Sequence, residues 1–279
     1  MKRILVDISH LYFRAFYACQ KEAKNDYNFT KYVVFNSLFS VLKKFSPDEV
    51  IIACDGKENW RKRIYPDYKA HRKLARDANV EVNWEEFFRV FNETISDMKK
   101  HFPFKVILNN YAEADDVIAV LSKYLNDGEN IILGSDKDYI QLLQHDHIKM
   151  YDPLKRKFIE EKNPLVQLQI KTLCGDMGDN VPQVKNKLGE KTALKIINRG
   201  VEGWLNEQSE EVQKNYKRNC LLIDLENCPK TIKRAILDEY YSYPPVKMYQ
   251  LLTFFLVNKM RRFMEEMSQV KPLLEKLER

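Results

Sequence analysis

Apolar positions along this chain follow two periods. Short, largely β-branched runs at residues 4–6, 50–54, 105–108 and 130–133 are bounded by polar residues and read as buried strands. Between them, residues 11–18, 31–45, 84–100 and 114–125 carry apolar side chains at helical spacing. Strand alternating with helix predicts an α/β fold with a central, mostly parallel sheet flanked by helices. A run at 148–151 and the Phe158-Ile159 pair beyond the Asp152-Pro153 turn would add edge strands. From Asn163-Pro164 onward the strand signals fade into helices broken by Gly, Pro and Asn. We therefore divide the chain into 1–163 and a helical region, 164–279. The Met and Phe residues between Tyr249 and Met267 recur at helical spacing and read as core.

Composition narrows the class. With 279 residues and 44% hydrophobic content the chain can fill a real core, which excludes disorder as a whole. Lys and Arg number 46 against 40 acids, a formal +6, which admits a polyanionic partner without requiring one. Distribution says more. Residues 57–76 hold eight Lys or Arg against Glu58 and Asp67, the stretch 77–97 is acidic and helical, and Lys185, Lys187, Lys191, Lys195 and Arg199 form a second basic segment. Taken alone, each run is as readily a solvated face as a binding surface. The five cysteines are scattered without a C-x-x-C pair, so neither a zinc finger nor a disulfide framework is expected. No stretch approaches the ~18 apolar residues of a membrane span, and a cytoplasmic, soluble monomer is the expectation. His145 and His147 have ligand-like spacing but sit in a polar turn, so they are expected at the surface.

The candidate chemistry lies at the strand ends. Asp7, Asp55 and Asp136 each stand at or just past a predicted strand's carboxyl end, and in an open parallel sheet those ends share one rim. Asp138 follows at a spacing of two, and Glu113, Asp115 and Asp116 open the helix after the 105–108 strand. Any one of these is as readily a helix N-cap. Together they crowd like charges that cannot all stay ionised without cations. All-oxygen ligation selects Mg²⁺, with Mn²⁺ a substitute, over Zn²⁺. Two such ions roughly 4 Å apart would activate water and stabilise the leaving oxygen of a phosphodiester displacement.

Four ordered blocks extend this reading: Trp60-Arg61 through Tyr68-Lys69-Ala-His-Arg72, Glu113-Ala-Asp115-Asp116, Gly134-Ser-Asp136-Lys-Asp138, and Gly175-Asp176-Met-Gly-Asp179-Asn-Val-Pro182 continuing to Leu188-Gly189-Glu-Lys191-Thr192-Ala193. In this series the chain resembles the 5′-nuclease superfamily of flap endonucleases, polymerase-associated 5′-exonucleases and phage homologues. Among members it is similar to the ribonuclease H of T-even bacteriophages in length, in the Trp-Arg block and in its helical carboxy-terminal region. The resemblance implies a PIN-like sheet, a helical arch at about 57–100, and a helix-three-turn-helix motif for duplex DNA at about 174–199. It implies that Asp7, Asp55, Asp116 and Asp136 hold a first metal, and that Asp138, Asp176 and Asp179 belong to a second, with Glu113 and Asp115 as outer or shared ligands. Arg61 and Lys69 would contact the scissile phosphate. Tyr68 would stack on an unpaired base beside Arg72 and Lys73. Gly189, Lys191, Thr192 and Lys195 would grip the duplex backbone. Gln183 stands where the family usually has Gly, and Asn186-Lys187-Leu188 replaces another Gly-rich step. Segment 74–82 lacks apolar periodicity and would order with DNA.

The expected activity is Mg²⁺-dependent cleavage of 5′ ends and flaps on branched or nicked DNA and RNA/DNA hybrids, removing RNA primers in replication beside a single-strand-binding protein or clamp. Two rivals share part of the pattern. A PIN-type single-strand ribonuclease would have no use for a duplex grip, and a catalytically silent junction-binding protein would gain nothing from so many acids.

Overall fold

The computed structural model describes residues 1–20 and 26–278. Strands β1 (Lys2–Asp7), β2 (Glu49–Cys54), β3 (Lys105–Leu108), β4 (Glu129–Leu133), β5 (Ile148–Asp152) and β6 (Lys157–Ile159) form one sheet in the order β3-β2-β1-β4-β5-β6. All neighbours run parallel except β5 and β6. The central strands are continuously apolar because helices cover both faces, as a parallel sheet requires. Ile4, Val6, Val50 and Ile52 point to one face, and Leu5, Ile51 and Ala53 to the other.

On the first face lie α1 (Ile8–Cys19), α2 (Tyr27–Phe45) and α5 (Trp84–His101). The second is covered by α6 (Ala114–Tyr124) and the three-ten helix Lys137–Gln144. Two short helices, α3 (Trp60–Ile64) and α4 (Ala70–Ala78), lie between β2 and α5. Residues 70–78 thus form a helix without apolar periodicity. None of its side chains is buried, and Arg72 and Arg76 reach out to Asp179 and over the Phe88 ring.

From Pro164 onward the chain is helical, but its helices serve several different clusters. Helices α7 (Pro164–Cys174), α8 (Glu190–Arg199), α9 (Val201–Asn206) and α10 (Glu210–Ile223) build a small separate cluster around Leu173, Val184, Leu188 and Ile196. Helix α11 (Lys230–Tyr241) packs against α6 through Ile232 and Ile236. The last three, α12 (Leu251–Val257), α13 (Arg261–Glu265) and α14 (Met267–Glu275), return to the first face. There Phe254, Phe255 and Phe263 interlock with Phe35, Phe39 and Phe102. Buried Lys31 on α2 is neutralised by Asp97 and hydrogen-bonded to Asn258, 2.6 Å away. Only part of 164–279 is therefore a lobe of its own. Among the described residues no helix is long and apolar enough to cross a membrane. His145 and His147 are half-buried rather than on the surface, and His147 Nε2 lies 3.0 Å from the Ser122 carbonyl oxygen.

If the last helices are integral to the sheet's core, Phe255→Ala should cost about 3–5 kcal/mol in urea unfolding. A loss below about 1 kcal/mol would make them peripheral.

Candidate active site

The chain builds outward from β1 in both directions, so connections leaving β1 and β4 diverge and open a crevice at the carboxyl rim. Asp7 closes β1, Asp55 follows β2 and Asp136 lies just past β4. A cleft of about 550 Å³ is lined by Asp7, Asp55, Glu113, Asp115, Asp136, Asp138 and Asp179, together with Lys69 and Arg72. It shares Asp136, Asp138 and Asp179 with an adjoining trough of about 800 Å³ that runs past Asp176 to Gly189.

Capping and site duty coincide in these acids. Asp7 Oδ1 accepts the His10 amide at 2.9 Å, and Asp136 Oδ1 accepts the Asp138 amide at 3.0 Å. In each carboxylate the second oxygen stays outside the cap. Asp7 Oδ2 takes the Tyr139 hydroxyl at 3.0 Å, and Asp136 Oδ2 lies 3.5 Å from His10 Nδ1. Asp55 is fixed by the Ser9 hydroxyl at 2.6 Å and the Ala114 amide at 2.9 Å. Gly56 beside it has no substitute, because a Cβ there would meet the Asn109 carbonyl oxygen at 2.2 Å.

A second layer of cations and donors lies behind the rim. Arg61 is 1% exposed and makes a bidentate pair with Asp116, both contacts at 2.8 Å, with a third to Glu113 at 3.1 Å. Trp60 Nε1 donates to Asp116 as well, at 3.0 Å. Lys69 reaches Glu113 at 2.6 Å and Asp179 at 3.7 Å. Its backbone is left-handed, φ 57°, a strain of about 1–3 kcal/mol for a residue with a Cβ. Hydrogen bonds from Lys69 N to Asp179 O, 2.9 Å, and from Asn180 Nδ2 to Asp67 O, also 2.9 Å, hold that turn.

The electrostatics follow from this crowding. Burial, then Asp55, pushes the Asp7 carboxyl up to about 6. Burial also drives Asp115 well up, and Asp7, Glu113 and Asp138 add to it against the pull of Lys69. Glu113 goes the other way, because Lys69 and Arg61 together outweigh its burial. Burial opposes ionisation of Asp136 too, yet His10 and the Asp138 amide bring it down to about 2. Asp7 and Asp115 are thus left with burial and repulsion that no bonded cation offsets, and Asp138 is raised in spite of Lys171, in a cleft whose donors are carboxylate oxygens. That donor set fits hard divalent ions.

Beyond the cleft, α7 leads through Gly175, the three-ten turn Met177–Asp179 and a looped segment into α8. Gly175 has φ 75°, and a Cβ there would lie 2.3 Å from the Val181 carbonyl oxygen. Gln183 fits its non-glycine position by accepting the Leu188 amide at 2.7 Å, while Lys187 takes a left-handed φ of 61°. Nothing lies within 4 Å of a Cβ built on Gly189, and Lys191, Thr192 and Lys195 face solvent beside it. Ala193 and Ile196 turn inward.

Residues 2–171 match the 5′-3′ exonuclease family over its N-terminal resolvase-like domain. The chain belongs to the 5′-3′ exonuclease family. It is similar to the ribonuclease H of Enterobacteria phage T4, 27% identical over 257 residues and 84% of each chain. It is also similar to flap endonuclease Xni of Shewanella denitrificans, 31% identical over 197 residues, 67% of this chain and 73% of that one. Among solved structures, T5 5′-exonuclease with bound divalent zinc ions shares the fold at TM-score 0.69 and 20% identity, covering 86% of this chain and 99% of that one.

Within this family member, three expected positions are differently placed. Arg61 does not line the cleft. Its guanidinium is spent on Asp116 and Glu113, so it cannot reach a phosphate there. Asp116 is 0% exposed and faces Arg61, and it is the neighbouring Asp115 that opens onto the cleft. Tyr68 is 2% exposed and its hydroxyl lies between Glu113, 3.0 Å, and Asp179, 2.9 Å, so its ring is no exposed stacking platform. Lys73 is exposed on α4. Two residues escaped the sequence reading. Lys171, in the last turn of α7, bridges Asp138 and Asp176, and His10 sits against Asp136. A lysine five positions before Asp176 was the only signal of the first.

Removing one partner of a buried ion pair strands the other, so Arg61→Ala should lose about 3–5 kcal/mol of unfolding free energy. Wild-type stability with lost cleavage would instead return Arg61 to the phosphate. Ion-free folded protein keeps a proton on Asp7 that the unfolded chain releases between pH 4 and about 6. Stability in chelator should therefore fall as pH rises through that window. Asp7→Asn should reduce the slope and raise the melting temperature at pH 7, which thermal melts across pH would show.

Proposed function

We propose that this chain is a structure-specific 5′-nuclease that hydrolyses phosphodiesters at 5′ ends and flaps of DNA and RNA/DNA duplexes. The observation that carries this reading is the convergence of Asp7, at the end of β1, with Asp55, Asp115, Asp136 and Asp138, from the segments after β2, β3 and β4, on one cleft, with Lys69 and Arg72 beside them. Magnesium ions, replaceable by manganese, would be held along it: one among Asp7, Asp55, Asp115 and Asp136, another among Asp138, Asp176 and Asp179. Held there, divalent ions lower the pKa of water and neutralise charge developing at phosphate oxygens.

The chain's own residues do the remaining work. Lys69, locked by its strained turn, places an ammonium at the cleft wall where negative charge grows on the phosphate. Arg72, half-exposed and tied to Asp179, guides the backbone toward it. The open α8 amino terminus with Lys191, Thr192 and Lys195 grips duplex phosphates without reading sequence. Basic residues between Lys57 and Arg76 would guide the 5′ strand past the cleft. Removal of RNA primers in replication, by a cytoplasmic monomer working with a single-strand-binding protein or clamp, is the role that fits.

A labelled 5′-flap duplex should be cut in Mg²⁺ and left intact in chelator. Asp136→Asn should abolish cutting while keeping junction affinity. Full activity in chelator, or in that variant, would remove the acidic cleft from the chemistry. Lys191→Ala with Lys195→Ala should flatten the dependence of duplex affinity on salt by about two in the log–log slope. An unchanged slope would return both lysines to solvent.

A further inference from the structure

The trough beside the cleft already contains a cation of the protein's own. Lys171 Nζ lies 2.7 Å from Asp176 Oδ2 and is hydrogen-bonded to Asp138 Oδ1. One oxygen each from Asp138, Asp176 and Asp179 fall within 4.8 Å of one another. The ammonium thus occupies two of the three carboxylates that would coordinate a divalent ion. It suits them in the absence of such an ion, since it carries positive charge and three donors but no acceptor. It also has a way out. The side chain is 25% exposed and borders an open trough of about 800 Å³ beside Gln167 and Glu190.

The two cations compete for these carboxylates. A magnesium ion takes its oxygens at about 2.0–2.1 Å in strict octahedral geometry. An ammonium hydrogen-bonded to the same carboxylates would crowd that shell with like charge.

We propose that Lys171 is a tethered counter-cation, which closes the Asp138–Asp176 pair in the ion-free protein and is expelled into the trough when a divalent ion takes that pair. The inference rests on reading the cleft as a metal-dependent active site. It assigns Lys171 as a positioning residue. Expulsion opposes ion binding at this position in the free protein. A substrate phosphate in the trough would capture the released ammonium, so ion and nucleic acid strengthen each other's binding by linkage.

Brief acylation of the wild-type protein, with each lysine followed by mass spectrometry, tests this without any variant. Lys171 should be protected in chelator and become several-fold more reactive in saturating Mg²⁺, while exposed Lys187 stays constant. Calorimetry with Mg²⁺ alone, run in parallel, separates the possible failures. Mg²⁺ binding with Lys171 still protected would overturn the proposal and leave the nuclease reading standing. Absence of any Mg²⁺ binding would bring down both. Lys171→Met should bind Mg²⁺ several-fold more tightly than wild type, and equal or weaker binding would also overturn the exchange.

Discussion

Mutual repulsion among buried carboxylates is the constraint around which this molecule is arranged. A parallel sheet delivers strand ends to one rim, and here nearly every strand end or following turn delivers an acid. Such a rim would resist folding if left uncompensated. The chain answers with tethered cations in two layers. Arg61 neutralises Asp116 and part of Glu113 inside the protein, while Lys69 from the turn before α4, Arg72 from α4 and Lys171 from α7 reach in to acids that border the cleft. What remains unbalanced, chiefly around Asp7 and Asp115, is the charge left for ions from solution.

These cations also explain why the polypeptide crosses the site so often. Residues 67–72 meet residues 178–180 through main-chain and side-chain hydrogen bonds, and Tyr68 packs with Val181, Leu222 and Ile223. The basic segment after β2 is thereby joined to the turn before α8, far away in sequence. Nucleic acid held at Gly189 and a phosphate near Lys69 would press on opposite ends of one short, hydrogen-bonded connection.

Much of the architecture was legible because its signals are local. β-branched runs marked β1 to β4 within a residue or two, the Asp152-Pro153 turn marked the β5–β6 edge, and the aromatic spacing after Tyr249 foretold a core helix. The acids at the strand ends were legible for the same reason. Orientation was not. Asp115 and Asp116 differ by one residue, about 100° of helix, and which one meets the cleft depends on how α6 packs on the sheet. Tyr68 looks like an exposed aromatic among cations until residues from α10 close over it. Lys171 meets Asp176 across a left-handed glycine, where no helical or strand period carries information.

The latch between residues 67–72 and 178–180 gives the matched segment 2–171 an incomplete character. A polypeptide ending there would keep every strand of the sheet. Yet Lys69 would lose the carbonyl that holds its left-handed turn, Arg72 its carboxylate, and Tyr68 most of its cover. The outer wall of the cleft is thus supplied by the second half of the chain, so the sheet and the helices that follow it could not be parted without dismantling the place where they meet.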